Sequence, residues 1–223
     1  MYMNRIRYGS EEGQEFASQI IEFIRFHAMK ASMHLARERG AFKALTGSVY
    51  DPKNLKWTAP KPMMTYQLDF GRPALDWGEI EKELLTSGIR NAAQLTIAPT
   101  GTIATVIGCE GYGCEPVFAL AYIRHMNDNG KDVLLTYASP QFEAALSKAG
   151  ITGEQRESIL NQVLSEGSCS SILELPDDVR NTFVVSADIT AQEHIRMQAA
   201  LQAVPSARGP SGRLDSSVPT SFG

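Results

Sequence analysis

The residue types best placed to do chemistry are Pro99, Thr100, Gly101, Thr102 and Ile103. A short apolar run, Leu95-Thr96-Ile97-Ala98, ends at the proline, and another opens at Ile103. This pattern predicts a strand handing over to a helix whose first backbone N–H groups lack intrahelical partners. Unpaired amides with a helix dipole behind them favour an anion. Two threonine hydroxyls add donors, and a glycine lets an oxyanion come close to the backbone. The segment therefore reads as a phosphate-binding turn. Pro-Thr-Gly is also ordinary turn chemistry, so a capped corner with no ligand is the plain alternative. No Gly-Lys-Ser/Thr follows, so the turn is not a Walker loop.

The other reactive side chains form no engine. Cys109 and Cys114 lie five apart in a glycine-rich loop with no second pair and no nearby histidine to complete a zinc set, and Cys169 stands far along the chain. All three read as small buried residues rather than metal ligands or a redox pair. His27 and His34 are seven apart on one helical face, and His27 reads as a core histidine bonded to a carbonyl. His125 and His194 have no partner that the sequence reveals. Glu110 and Glu115 bracket the glycine loop, where a carboxylate can orient a substrate or a neighbouring loop, or serve as a cap. No Ser/His/Asp or Cys/His set emerges, and neither a catalytic residue nor a metal site is assigned.

The elements that must position these groups are mostly helices. Residues 11–39 read as one long helix with an apolar stripe at Phe16, Ile20, Phe23, Ile24, His27, Ala31 and Leu35, capped by Ser10 and closed at Gly40. Residues 41–75, with four prolines, read as an irregular connection. Asp76 and Glu79 form a capping box for a helix from Trp77 to about Ser87. Ala93–Ala98 reads as a buried strand. Val117–Met126 and Asp132–Tyr137 flank an Asp-Asn-Gly-Lys turn and read as a hairpin. Helices follow from Ser139-Pro140 to Ala149, from a Thr152/Gln155 capping box to about Ser165, over the short stretch Pro176–Phe183, and from a Thr190/Glu193 box to about Ala203. Beyond Val204 the Pro-Ser-Ala-Arg-Gly-Pro-Ser-Gly text has no apolar period and is expected to be disordered. One doubly buried strand has no sheet to sit in. The fold is therefore either mostly helical with a small hairpin or a piece of a larger α/β barrel.

Composition sets outer bounds. The 223 residues carry a net charge of −4, which gives no reason to expect nucleic acid or a membrane surface as partner. No apolar run reaches the ~18 residues of a membrane span. The N-terminus has no apolar signal core, and an odd count of three cysteines points to a reducing, cytoplasmic setting.

The run from Ile89, IRNAAQLTIAPTGTIATVIGCEGYGCEPVFAL, resembles the late catalytic barrel of ribonucleotide reductase, most closely the class II, adenosylcobalamin-dependent type. The matching motifs are Ala98–Ile103 and Glu115–Ala119. Ile6–Glu12, Tyr50-Asp51-Pro52, Asn54–Trp57 and Leu175–Arg180 also resemble that family, so the likeness spans about residues 5–203. It implies a helix-rich α/β fold, a partial reductase-type barrel with a β-hairpin. Residues 1–203 would be the C-terminal portion of the catalytic barrel and 204–223 a disordered or non-native tail. The resemblance carries the substrate phosphate-binding role onto Pro99, Thr100, Gly101, Thr102 and Ile103. The family's chemistry is 2′-deoxygenation of ribonucleotides through a thiyl radical. It uses adenosylcobalamin, a dithiol reductant such as thioredoxin, and an Asn-x-Cys-x-Glu set that this sequence does not contain. Cys109, Cys114 and Cys169 are accordingly not given those roles. The expected chain is a reductase fragment, inactive alone, that binds ribonucleotide and needs the remainder of the reductase chain. The other reading is a non-catalytic helical module for a phosphate-bearing ligand or a protein partner. The text after Ala203 departs from the family's next barrel strand, as a truncation, a frameshifted end or an appended scar would.

Overall fold

The structure is a computed structural model and describes residues 1–204. The expected tail lies outside the described residues from position 205 onward. The chain divides into two compact units, Met1–Gly13 with Pro99–Ile195, and Gln14–Ala98 with the residues from Arg196 onward.

In the first unit, β1 (Ala121–Asp128) pairs antiparallel with β2 (Lys131–Ala138), Ala121 opposite Ala138 and Tyr122 opposite Tyr137. Asn129 (φ 51°) and Gly130 (φ 86°) make the two-residue connection. Positive φ at both central residues matches the twist of the flanking strands, and Asn-Gly is the pair that adopts it most easily. α4 (Pro140–Lys148) starts where Ser139 Oγ accepts from the Phe142 amide. α5 (Gly153–Glu166) follows, although Thr152 makes no side-chain cap bond. A short α6 (Asp177–Thr182) completes the packing. Leu120, Phe142, Leu146, Ile159, Val163, Ile172 and Phe183 form one buried cluster. The Leu120 amide donates to Gly167 O (2.9 Å), and the Ser139 amide to Leu120 O (2.7 Å), which fixes the root of the hairpin. α7 (Ala191–Gln202) carries the expected box: the Thr190 amide donates to Glu193 Oε2 (2.8 Å) and the Glu193 amide to Thr190 Oγ1 (3.2 Å).

The second unit is built on α1 (Glu11–Arg39), whose first turn Ser10 Oγ caps by accepting from the Gly13 amide. The helix runs as expected, but its buried face differs from the stripe read in the sequence. Ile20 and Ile24 are 44% and 45% exposed, and His27 and Ala31 are exposed too. The buried residues instead follow Glu15, Ser18, Glu22, Arg25, Met29, Met33 and Ala36, an equally good three-and-four spacing. Its C-terminal half packs Phe26, Met29 and Met33 against Tyr50, Trp57, Ile80, Leu84 and Ile89, with Ile80 and Leu84 supplied by α2 (Trp77–Ser87).

The N-terminal half of that face is polar for a backbone reason. Residues 41–75 form neither helix nor strand, as expected, so their amides have no ladder to join. Glu15 Oε1 accepts from the Gln67 and Leu68 amides at 2.8 and 2.7 Å, and Gln19 Nε2 donates to Leu68 O at 2.9 Å. Glu22 takes the Trp77 indole N–H at 2.9 Å and faces Arg72 at 3.3 Å.

The predicted strand at Ala93–Ala98 is absent; the segment is irregular and none of its residues is buried. A strand exists only through ladder bonds to a neighbour, and among the described residues the sheet consists of β1 and β2 alone. The hairpin is therefore present and a closed barrel is not.

Glu15→Ala removes the acceptor of two loop amides at once. It is expected to destabilise the protein by about 2 kcal/mol or more, read as a lower urea midpoint, with a smaller loss in Glu15→Gln, which retains a carbonyl acceptor.

Candidate functional site

The turn at residues 99–103 lies on the surface. Thr100 takes a left-handed conformation (φ 56°, ψ 18°), and α3 (Gly101–Val106) starts immediately after it. The first amide with a backbone acceptor is that of Ala104, which donates to Thr100 O at 2.8 Å. The amides of Gly101, Thr102 and Ile103 meet no acceptor among the described residues. Gly101, Thr102 and Ile103 are all exposed, and a Cβ built at Gly101 would meet nothing within 4 Å. The corner is thus not closed by the protein's own backbone. α3 is only six residues long, and the donors themselves, rather than a long dipole, are what it offers.

A β-branched residue in the left-handed region costs on the order of 1–2 kcal/mol. What holds Thr100 there is its own hydroxyl: Oγ1 accepts from the Gly113 amide at 2.9 Å. Thr102 is exposed, and Thr105 Oγ1 bonds back to Gly101 O at 3.0 Å. The turn therefore depends on the glycine-rich loop, and that loop is held from three directions. The Cys109 amide donates to Ala104 O (2.8 Å). Tyr8 Oη donates to Cys114 O (2.8 Å). Glu110 accepts from Ser139 Oγ at 2.5 Å and from the Gln141 amide at 2.9 Å, which seats its carboxylate on the N-terminus of α4. Of the roles open to Glu110 in the sequence, the structure gives it the cap. The Ser-Pro start of α4 was legible; its union with a carboxylate about thirty residues earlier was not.

The three cysteines separate by environment. Cys169 is buried, its Sγ lying 3.6 Å from Phe183 O; burial and then the nearby Asp188 charge push its thiol up to about 12. Cys114 is half-buried, and its thiol is raised by the same loss of water and by Glu115. Cys109 is exposed, against the expectation of a buried residue. His27 is likewise exposed rather than core, stacked beside Phe23 at 4.3 Å. His125 does have a partner: its Nδ1 sits 3.1 Å from Asp132 Oδ2 across the hairpin. Among the described residues no group of three or more His, Cys, Asp or Glu gathers to hold a metal.

The family model described as ribonucleotide reductase, barrel domain, matches residues 1–205. A vitamin B12-dependent ribonucleoside-diphosphate reductase of Thermoplasma acidophilum is 32% identical over 197 residues, covering 88% of this chain and 20% of that protein. The protein of the same description from Mycobacterium tuberculosis is 32% identical over 198 residues, covering 88% and 22%. The ribonucleoside-diphosphate reductase subunit alpha of Chlamydia muridarum is 28% identical, covering 85% and 18%. The chain thus spans about a fifth of the length of the curated relatives it matches.

A disulfide reagent such as Ellman's reacts with thiolate. At pH 8 it is expected to modify Cys109 first, Cys114 more slowly, and Cys169 only after denaturant is added. Rapid labelling of Cys169 in the folded chain would contradict its buried, hydrogen-bonded position.

Proposed function

The chain belongs to the ribonucleotide reductase barrel-domain family, and on that footing we propose that it is one part of a reductase catalytic barrel, the part that receives the phosphates of a ribonucleoside diphosphate. The carrying observation is the set of unbonded amides of the exposed Gly101, Thr102 and Ile103 beside a left-handed Thr100. Backbone and hydroxyl donors hold an anion without adding a fixed charge, so product leaves as readily as substrate binds. Pro99 ends the incoming segment, and its missing N–H leaves the donors to the three residues after Thr100.

The reaction of the whole enzyme replaces the ribose 2′-hydroxyl by hydrogen. A dithiol is oxidised to a disulfide and water departs. A radical cysteine and the reducing pair belong to parts of the reductase outside this sequence, which contains no Asn-x-Cys-x-Glu. Adenosylcobalamin is the radical source of that enzyme, and thioredoxin or a similar dithiol its reductant, in the cytoplasm. Two cavities among the described residues enclose about 540 and 230 Å³, and each is too small for a corrin ring with its nucleotide tail.

The exposed apolar stripe of α1 supports the need for the rest of the reductase. Phe16, Ile20, Phe23 and Phe70 line a shallow groove on the second unit, and groups of this kind on a surface ordinarily meet another protein segment. Among the described residues no helix is long and apolar enough to cross a membrane, so the stripe is not part of a spanning helix.

Equilibrium dialysis with cytidine diphosphate tests the turn. Thr100→Val with Thr102→Val is expected to weaken binding by about tenfold, the worth of roughly one lost hydrogen bond to an anion. Unchanged affinity would overturn the assignment. Deoxycytidine diphosphate formed by this chain with adenosylcobalamin and a dithiol would overturn the view that it lacks turnover alone.

A further inference from the structure

The first unit holds a cavity of about 540 Å³ between the glycine-rich loop and one face of the hairpin. That volume is within the range of sites for nucleotide-sized molecules. None of residues 99–103 lines it, so it is a different place from the turn. Its wall follows from strand register. Tyr122 stands opposite Tyr137, their rings 4.8 Å apart and tilted by 31°, and Arg124, two residues along on the same face, also lines the space. Residues two apart on a strand are roughly 7 Å apart. The wall is thus a pair of tyrosine rings leaning on each other, followed one step later by a guanidinium. Tyr112 and Phe118 add further aromatic surface.

Charge decides what this wall takes. Arg124 is exposed and forms no ion pair or hydrogen bond among the described residues. Its neighbour His125 points to the other face, where it meets Asp132. At the opposite end of the cavity the Glu110 carboxylate is already occupied by Ser139 Oγ and the Gln141 amide. A cation would be repelled by Arg124, and an anion near Glu110 would be repelled there and directed towards Arg124. A flat ring system stacks on tyrosine faces whatever its sequence of heteroatoms, and a guanidinium pairs with phosphate through two parallel bonds. Burial and the Glu110 charge raise the Tyr137 hydroxyl to about 12, so it remains a donor at neutral pH.

We propose that this cavity is a second ligand site, which stacks a planar base on Tyr122 and Tyr137 and holds its attached phosphate with Arg124, as a nucleoside phosphate requires. The proposal does not depend on the turn at residues 99–103.

The test uses the full 223-residue chain carrying Thr102→Val, which weakens the turn while the Thr100–Gly113 bond, and with it the loop that walls the cavity, stays in place. Adenosine diphosphate, adenosine, inorganic phosphate and tetramethylammonium are titrated separately by calorimetry, and tyrosine ring resonances are followed by NMR. Adenosine diphosphate is expected to bind and to shift tyrosine signals. Arg124→Ala, at an exposed hairpin position, is expected to weaken it by about tenfold or more while leaving adenosine unchanged. Tyr122→Leu is expected to weaken both; should that variant lose its circular dichroism spectrum, the arginine variant and the ligand series decide alone. Absence of nucleotide binding in the turn-weakened chain, indifference to Arg124→Ala, or a preference for tetramethylammonium would each overturn the proposal. Failure here with normal cytidine diphosphate binding by the unaltered chain leaves the turn standing, and the reverse outcome leaves the cavity standing.

Discussion

The Glu110 carboxylate, seated on the N-terminus of α4 by Ser139 and Gln141, gives the loop between α3 and β1 its shape. Val117 and Leu120 anchor only its C-terminal end in the core, and none of residues 107–116 is buried, so hydrophobic packing does not set the path of the glycine-rich part. Hydrogen bonds do, and each is made to a group already fixed by the core: Ser139 through its amide bond to Leu120, and the Cys114 carbonyl through Tyr8. Once the loop is placed, its Gly113 amide reaches Thr100 and holds the turn in a conformation that threonine would otherwise avoid. The donors available to an anion are therefore set by a carboxylate on the far side of the loop.

The second unit solves a similar problem with the same chemical device. A stretch of some thirty-five residues without helix or ladder must satisfy its amides while lying against a helix. Glu15, Gln19 and Glu22 provide the acceptors and donors from α1, and Asp51 does so within the connection itself by accepting from the Gly47 and Lys53 amides. Burying these side chains is costly unless every lone pair is used. The loop amides and the Trp77 indole N–H satisfy Oε1 of Glu15 and of Glu22, and the Arg72 guanidinium, 3.3 Å away, faces the remaining Glu22 Oε2 as an ion pair.

Much of the scaffold was legible in the sequence because it depends on local rules. Asn129-Gly130 with its flanking apolar residues gave the hairpin, Ser139-Pro140 and Thr190/Glu193 gave helix starts, and Gly40 and Gly88 marked helix ends. What was not legible depends on partners distant in sequence. The apolar pattern of α1 points to the wrong face, because two stripes of equal spacing compete and the buried one is polar over half its length. An apolar run at Ala93–Ala98 looks like a strand, but a strand needs a neighbour and the described chain supplies none. The turn residues were found by their types. The loop that holds them was missed, since a glutamate followed by glycines carries no sign that it caps a helix some thirty positions later.

The bond between Gly113 and Thr100 has a mechanical corollary. It makes the strained corner and the glycine-rich loop one piece, with the aromatic-walled cavity on that loop's other flank. Any occupant that displaces the loop on the cavity side changes the orientation of three amides on the corner side. By thermodynamic reciprocity, an anion settling at the corner changes the shape presented to that occupant by the same free energy. If both places take their ligands, the shared loop couples them.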